Sequence, residues 1–155
     1  MILNNLAVVR LEVNVRPLVP SSADSTRGGY MTKRILLVDD NGLTRSLIRA
    51  FLESQPKVEV CGEASNGAEG LEKGLELKPD LVVLDFSMPR INGLQAAFMF
   101  HKIAPHTPII LFTLFKDEIL DRLARVAGVA SVVSKADELT VLSDEVQRLT
   151  KYVKN

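Results

Sequence analysis

Tryptophan is absent from the 155 residues, and aromatic side chains make up only 5% of them. A surface that stacks single-stranded bases needs several exposed rings, so the composition argues against that function. A single cysteine, Cys61, excludes an internal disulfide and a cysteine metal cluster. It fits a reducing compartment, and a cytoplasmic location is expected. Neither sign of charge is in excess, because Lys+Arg and Asp+Glu both number 19. General attraction to nucleic acid or to a membrane surface is therefore not expected. No apolar run approaches the ~20 residues that span a bilayer. Internal repeats are also missing. What remains is ordinary globular composition, 46% hydrophobic and 25% charged, in a chain long enough for one domain with a real core.

The first thirty residues differ from the rest. Val9, Leu11, Val13 and Val15 alternate with Arg10, Glu12, Asn14 and Arg16, as in a half-buried strand. Pro17 and Pro20 end that pattern, and 21–30 is rich in Ser, Thr and Gly. The favoured reading of 1–31 is a flexible extension, or upstream sequence before a true start at Met31. A folded domain is expected over 32–155.

From Lys33 onward, apolar runs alternate with amphipathic stretches. Ile35 to Val38, Val58 to Cys61, Leu81 to Leu84, Ile109 to Phe112 and Ser131 to Ser134 read as five strands. Between and after them, apolar residues recur at helical spacing. They are Leu43, Leu47, Ile48, Phe51 and Leu52; then Ala68, Leu71 and Leu75; then Leu94 to Ile103. Ile119, Leu120, Leu123 and Val126 follow, and Leu139, Leu142, Val146, Leu149 and Val153 close the chain. Gly128 caps the fourth helix. Five strand–helix units imply an α/β fold, a doubly wound five-stranded parallel sheet with helices on both faces. In such sheets ligands bind beyond the carboxyl ends of the strands.

The residues at those ends carry the chemistry. The first strand runs into Asp39-Asp40, the third into Asp85, the fourth into Thr113, and the fifth into Ser134-Lys135. Three converging carboxylates repel one another and take up protons unless a cation sits among them. Hard oxygen ligands of this kind suit Mg²⁺. Lys135 adds a positive charge and Thr113 a hydroxyl donor. Together these groups suit phosphoryl transfer to a carboxylate. Singly, each has a plain structural reading: Asp39-Asp40 as a helix cap, Asp85 as a turn, Lys135 as a solvated charge. Their joint placement at consecutive strand ends favours function. His101 and His106 are expected at the surface, Cys61 in the core, and Met88-Pro89 in a turn.

Four segments in order, Leu37-Val38-Asp39-Asp40, Leu84 to Pro89, Leu111-Phe112-Thr113 and Val133-Ser134-Lys135, resemble the receiver domain of two-component response regulators. Glu63 to Gly67 and Ile91-Asn92-Gly93 resemble that family's loops. The resemblance covers about Lys33 to Val153 and implies a flavodoxin-like strand order, 2-1-3-4-5. It implies that Asp85 accepts a phosphoryl group from a phosphohistidine, on a histidine kinase or a phosphotransfer protein. Mg²⁺ would be held by Asp39, Asp40, Asp85 and the backbone carbonyl of Ser87. Thr113 would bind a phosphoryl oxygen, and Lys135 would pair with Asp85 or its phosphate. Val60 to Gly67 is most similar to receivers that often carry a helix-turn-helix domain, but a stand-alone receiver is expected here. Phosphorylation would switch protein–protein contacts, with a phosphorylation-dependent dimer among the possibilities. Direct nucleic-acid and membrane partners are not expected, nor is metabolic enzyme activity beyond self-phosphorylation and self-dephosphorylation.

Three positions depart from the family pattern. Val132 stands where many members carry a Tyr or Phe switch, Leu114 where a small residue is usual, and Ala136 where many have proline. Val132 leaves open a degenerate receiver that acts by constitutive binding. An aspartyl-phosphate phosphatase of the haloacid dehalogenase type would want Asp two residues after Asp85, where Ser87 stands. A flavin-binding domain would want a phosphate loop after the first strand, where Asp39-Asp40 would repel a phosphate.

Overall fold

The computed structural model describes residues 31–151. The strand expected over 9–15, residues 1–30 of the expected extension, and Val153 lie outside the described residues. The elements run β1 (Lys33–Val38), α1 (Gly42–Glu53), β2 (Val58–Ala64), α2 (Gly67–Leu77) and β3 (Leu81–Asp85). They continue with α3 (Gly93–Ile103), β4 (Ile109–Thr113), α4 (Glu118–Val126), β5 (Ser131–Ser134) and α5 (Leu139–Thr150). The strands are all parallel, in the order β2-β1-β3-β4-β5. The expected doubly wound sheet is the one observed.

The apolar runs are continuous because both faces of the sheet are covered. In β1, Leu36 and Val38 face one helical layer while Ile35 and Leu37 face the other. The same alternation divides Val82 and Leu84 from Leu81 and Val83, and Ile109 and Leu111 from Ile110 and Phe112. One layer adds Ala96, Ala97 and Phe100 of α3 with Leu120 and Ala124 of α4. The other adds Ile48 and Leu52 of α1 with Leu142 and Val146 of α5. Full burial of each such aliphatic chain is worth about 1.5–3 kcal/mol, so the central strands anchor the fold.

Four helix starts are fixed by side-chain caps: Asn41, Asn66, Asn92 and Asp117 each accept a backbone N–H from the first turn. Gly128 ends α4 with φ +85, and the Val129 N–H donates to Ala124 O at 2.9 Å. This closes the helix as the sequence suggests.

One of the expected boundaries needs correction. β2 continues to Ala64 rather than stopping at Cys61. Its pairing with β1 slips between Ile35 and Leu36, so Cys61 is the extra residue, and that irregularity interrupts the alternation by which a strand is read. Met88 is more than a turn residue, since it is buried among the core side chains. On α1 and α4 the apolar residues split between core and solvent. Leu43, Leu47, Ile119, Leu123 and Val126 are exposed, and only Ile48, Leu52, Leu120 and Ala124 are buried.

One glycine joins the fold to the sheet edge. A Cβ at Gly93 would lie 2.3 Å from the Asp85 carbonyl oxygen and 2.7 Å from the Phe86 Cα. Backbone atoms cannot rotate away, so Gly93→Ala should cost about 2–3 kcal/mol, at the upper end of ordinary overpacking. At Gly42 the nearest atom is the tip of Arg45 at 3.6 Å, an ordinary contact. Gly42→Ala should stay within about 0.5 kcal/mol of wild type, as surface changes do. Denaturant melts of the two variants check this, and equal stabilities would contradict the close approach of α3 to Asp85.

Candidate phosphoacceptor and cation site

Parallel pairing places the strand ends side by side. Val38 pairs with Leu84, so Asp39 and Asp85 emerge next to each other. Thr113 pairs with Ser134, and the Lys135 N–H donates to Thr113 O at 2.8 Å. The side chains then converge. One carboxylate oxygen from each of Asp39, Asp40 and Asp85 lies within 4.8 Å of the others. Lys135 Nζ stands 2.6 Å from Asp39 Oδ2 and 3.1 Å from Asp85 Oδ1. Asp39 and Asp85 are each only 4% exposed, whereas Asp40 is exposed.

Burial is the largest influence on Asp85 and pushes its carboxyl above the usual carboxylate range. Lys135 pulls it down, and the Asp39 charge pushes it up again. For Lys135, burial favours the neutral amine. The hydrogen bond to Asp39 and the charges of Asp85 and Asp39 outweigh it, and the ammonium is held above its ordinary value. Lys135 is therefore a fixed countercharge here, rather than the mobile charge that a lone lysine suggests.

These groups open onto a cleft of about 220 Å³ lined by Asp40, Asn41, Thr44, Asp85, Ser87, Leu114, Phe115 and Lys135. Thr113 lies behind it. Its hydroxyl is fully buried and accepts the Phe115 N–H at 3.1 Å. A hydroxyl that accepts one bond can still donate its own hydrogen. Leu114 does not enter the core; it is 65% exposed at the cleft rim. Val132 is half-buried and packs against the core layer of α3 and α4. His101 and His106 are exposed, and neither lines the cleft. Cys61 is half-buried rather than in the core as expected, and burial pushes its thiol up, which suits an unreactive position. Asn41, Thr44 and Phe115 are cleft residues that the motifs do not reveal. The helix start that follows Asp39-Asp40 is the signal for the first two.

The donor set is chemically apt for a small divalent cation. Three hard carboxylate oxygens sit close enough to share one ion, and two of the three acids are buried in a setting where unshielded charge is costly.

A family model, response regulator receiver domain, matches residues 35–147. The chain belongs to that family. The match takes in β2 to β5, β1 from Ile35 onward, and the whole cleft lining. Among curated relatives, the transcriptional regulatory protein LiaR of Bacillus subtilis is 35% identical over 120 residues, which is 76% of this chain and 56% of LiaR. The response regulator protein VraR of Staphylococcus aureus is 32% identical over 121 residues, covering 78% of this chain and 58% of VraR. The chain thus spans little more than half the length of these relatives. Among solved structures, the response regulator domain of Thermotoga maritima CheB superposes with a TM-score of 0.73 at 27% identity, over 79% of this chain and 99% of that one. A LuxR-family two-component response regulator from Aurantimonas sp. SI85-9A1 gives 0.75 at 28% identity, over 77% and 86%. Among the described residues no helix is long and apolar enough to cross a membrane.

The raised Asp85 carboxyl has a consequence for this receiver domain. A carboxyl whose folded pKa lies above its unfolded value favours folding when protonated, and that contribution is lost as pH rises through the folded pKa. In metal-free buffer at pH 8, Asp85→Asn should therefore be more stable than wild type. The advantage should shrink as pH falls toward 4. Denaturant titrations in EDTA at both pH values test this. A variant less stable than wild type at pH 8 would mean that the Lys135 pair, not burial, dominates at Asp85.

Proposed function

We propose that this receiver domain takes a phosphoryl group onto Asp85 from a phosphohistidine, on a histidine kinase or phosphotransfer protein, and so switches protein–protein contacts. The observation that carries the reading is the convergence of Asp39, Asp40, Asp85 and Lys135 at an open cleft. An Asp85 carboxylate oxygen attacks phosphorus. The P–N bond breaks, and its electron pair stays on the imidazole of the donor. The carboxylates of Asp39, Asp40 and Asp85, with the Ser87 carbonyl, would hold Mg²⁺, which would supply charge neutralisation at the transferring group. Lys135 sits against Asp85 and pairs with the new negative charge. Thr113 donates its hydroxyl to a phosphoryl oxygen. Water later cleaves the acyl phosphate and returns the carboxylate.

The action is that of a regulated interaction module in the cytoplasm, not of a metabolic enzyme. Ser87 in place of an acid two residues after Asp85 supports this, because a phosphatase of the haloacid dehalogenase type would use that acid for proton transfer. Val132 has no aromatic ring to swing and is packed against the core. The output signal therefore travels through other parts of the surface, and a phosphorylation-dependent dimer is one form it can take.

Acetyl phosphate with Mg²⁺ should add one phosphoryl group to wild type and none to Asp85→Asn, read by intact mass. EDTA should abolish the labelling. Equal labelling of both proteins would move the acceptor elsewhere.

The rim predicts the lifetime of the product. Hydrolysis needs a water in line with the bond that breaks. Leu114 places a branched apolar group at the cleft, and an ordered water needs polar partners. The Ser87 hydroxyl works in the other direction, but one hydroxyl cannot offset the crowding. Self-hydrolysis should be slow, and Leu114→Ala should speed it severalfold without loss of labelling. Phosphate release after donor removal measures it, and an unchanged rate in the folded variant would show that Leu114 does not gate the water.

A further inference from the structure

Arg45, on the first turns of α1, reaches back beneath the acidic corner. Its Nη1 donates to the main-chain carbonyl of Asp39. Its Nε is buried, has no hydrogen-bond partner, and faces Glu63 Oε2 at 3.6 Å. The side chain is only 18% exposed. Glu63 is itself anchored, by Arg49 Nε at 2.6 Å and by Lys73, which donates to its main-chain carbonyl. On the other side of the corner, the Asp39 N–H donates to Ala64 O at 3.1 Å. Both main-chain polar groups of Asp39 are therefore tied to the end of β2, one directly and one through Arg45.

The Asp39 carbonyl belongs to the planar peptide group that joins Asp39 to Asp40. Its direction fixes how the two side chains project relative to each other. We propose that Arg45 is a positioning residue for the cation-binding carboxylates: by holding this carbonyl, it sets the Asp39–Asp40 geometry that Mg²⁺ requires. The proposal rests on the cation site assigned to Asp39, Asp40 and Asp85. Electrostatics alone predicts the opposite sign. A guanidinium beside the site repels a divalent cation, so loss of its charge should tighten binding. Loss of the hold on the carbonyl should weaken it. The sign of the change separates the two effects.

The test is isothermal titration calorimetry of Mg²⁺ into metal-stripped full-length chain, at fixed ionic strength. Arg45→Met should bind Mg²⁺ about tenfold more weakly, the lower end of what loss of an outer hydrogen-bond partner costs a metal site. Arg45→Lys, which keeps a donor, should recover part of the loss. Glu63→Gln, which frees Arg45 without removing it, should weaken binding by a smaller factor. Melting temperatures in EDTA report stability separately, and a purely structural arginine would change these and not the affinity. Unchanged or tighter binding by folded Arg45→Met would overturn the role. If that variant does not fold, unchanged affinity in Glu63→Gln would overturn it instead. Wild type that binds no Mg²⁺ at millimolar concentration would overturn the cation site itself, whereas normal wild-type binding with unaltered variants would overturn only the role of Arg45.

Discussion

Like charges crowded at one sheet edge are the constraint on which this molecule turns. The parallel sheet brings the ends of β1 and β3 together, and with them Asp39, Asp40 and Asp85. Left alone, three such carboxylates would protonate or push the strand ends apart. Lys135 prevents this by touching both buried acids, from a position 96 residues beyond Asp39 in the chain. β5 must therefore dock beside β4 before the acidic edge is balanced. The site and the completed sheet are one construction.

The balance is partial, and that is the basis of its chemistry. One ammonium faces three carboxylates, and the Asp85 carboxyl remains above its ordinary range because burial outweighs the attraction of Lys135. Such a site gains by taking up further positive charge. It also keeps the Asp85 main chain in place, since Gly93 lets α3 close directly against it. Rigid strands below and a capped helix start beside the acidic pair leave little freedom at Asp39, Asp40 and Asp85. Pre-organisation of this kind does most of the work in phosphoryl transfer.

Much of this was legible in the residues. Continuous apolar runs such as Leu81 to Leu84 announce strands covered on both faces, and the acids that follow them announce the working edge. What could not be read was direction. Periodicity placed Leu43, Leu47, Ile119 and Leu123 on helices, yet they face solvent, because a helix beside a sheet buries a narrow stripe only. Cys61 hid the length of β2, since one extra residue inverts the alternation beyond it. Thr113 was correctly set at a strand end, but its engagement with the Phe115 N–H belongs to a turn that no pattern encodes. Arg45 belongs to no motif in the sequence. Its importance arises from where a long side chain happens to reach.

The central claim is that one carboxylate, Asp85, becomes the acyl phosphate, and that the acidic edge makes this depend on a divalent cation. Borohydride reduction of the phosphorylated chain, followed by peptide mass mapping, tests it most directly, because reduction of an aspartyl phosphate leaves homoserine at the modified position. The account predicts homoserine at residue 85 when phosphodonor and Mg²⁺ are both present, and at no position when Mg²⁺ is withheld. Homoserine at residue 39 or 40, or at residue 85 without any divalent cation, would contradict it.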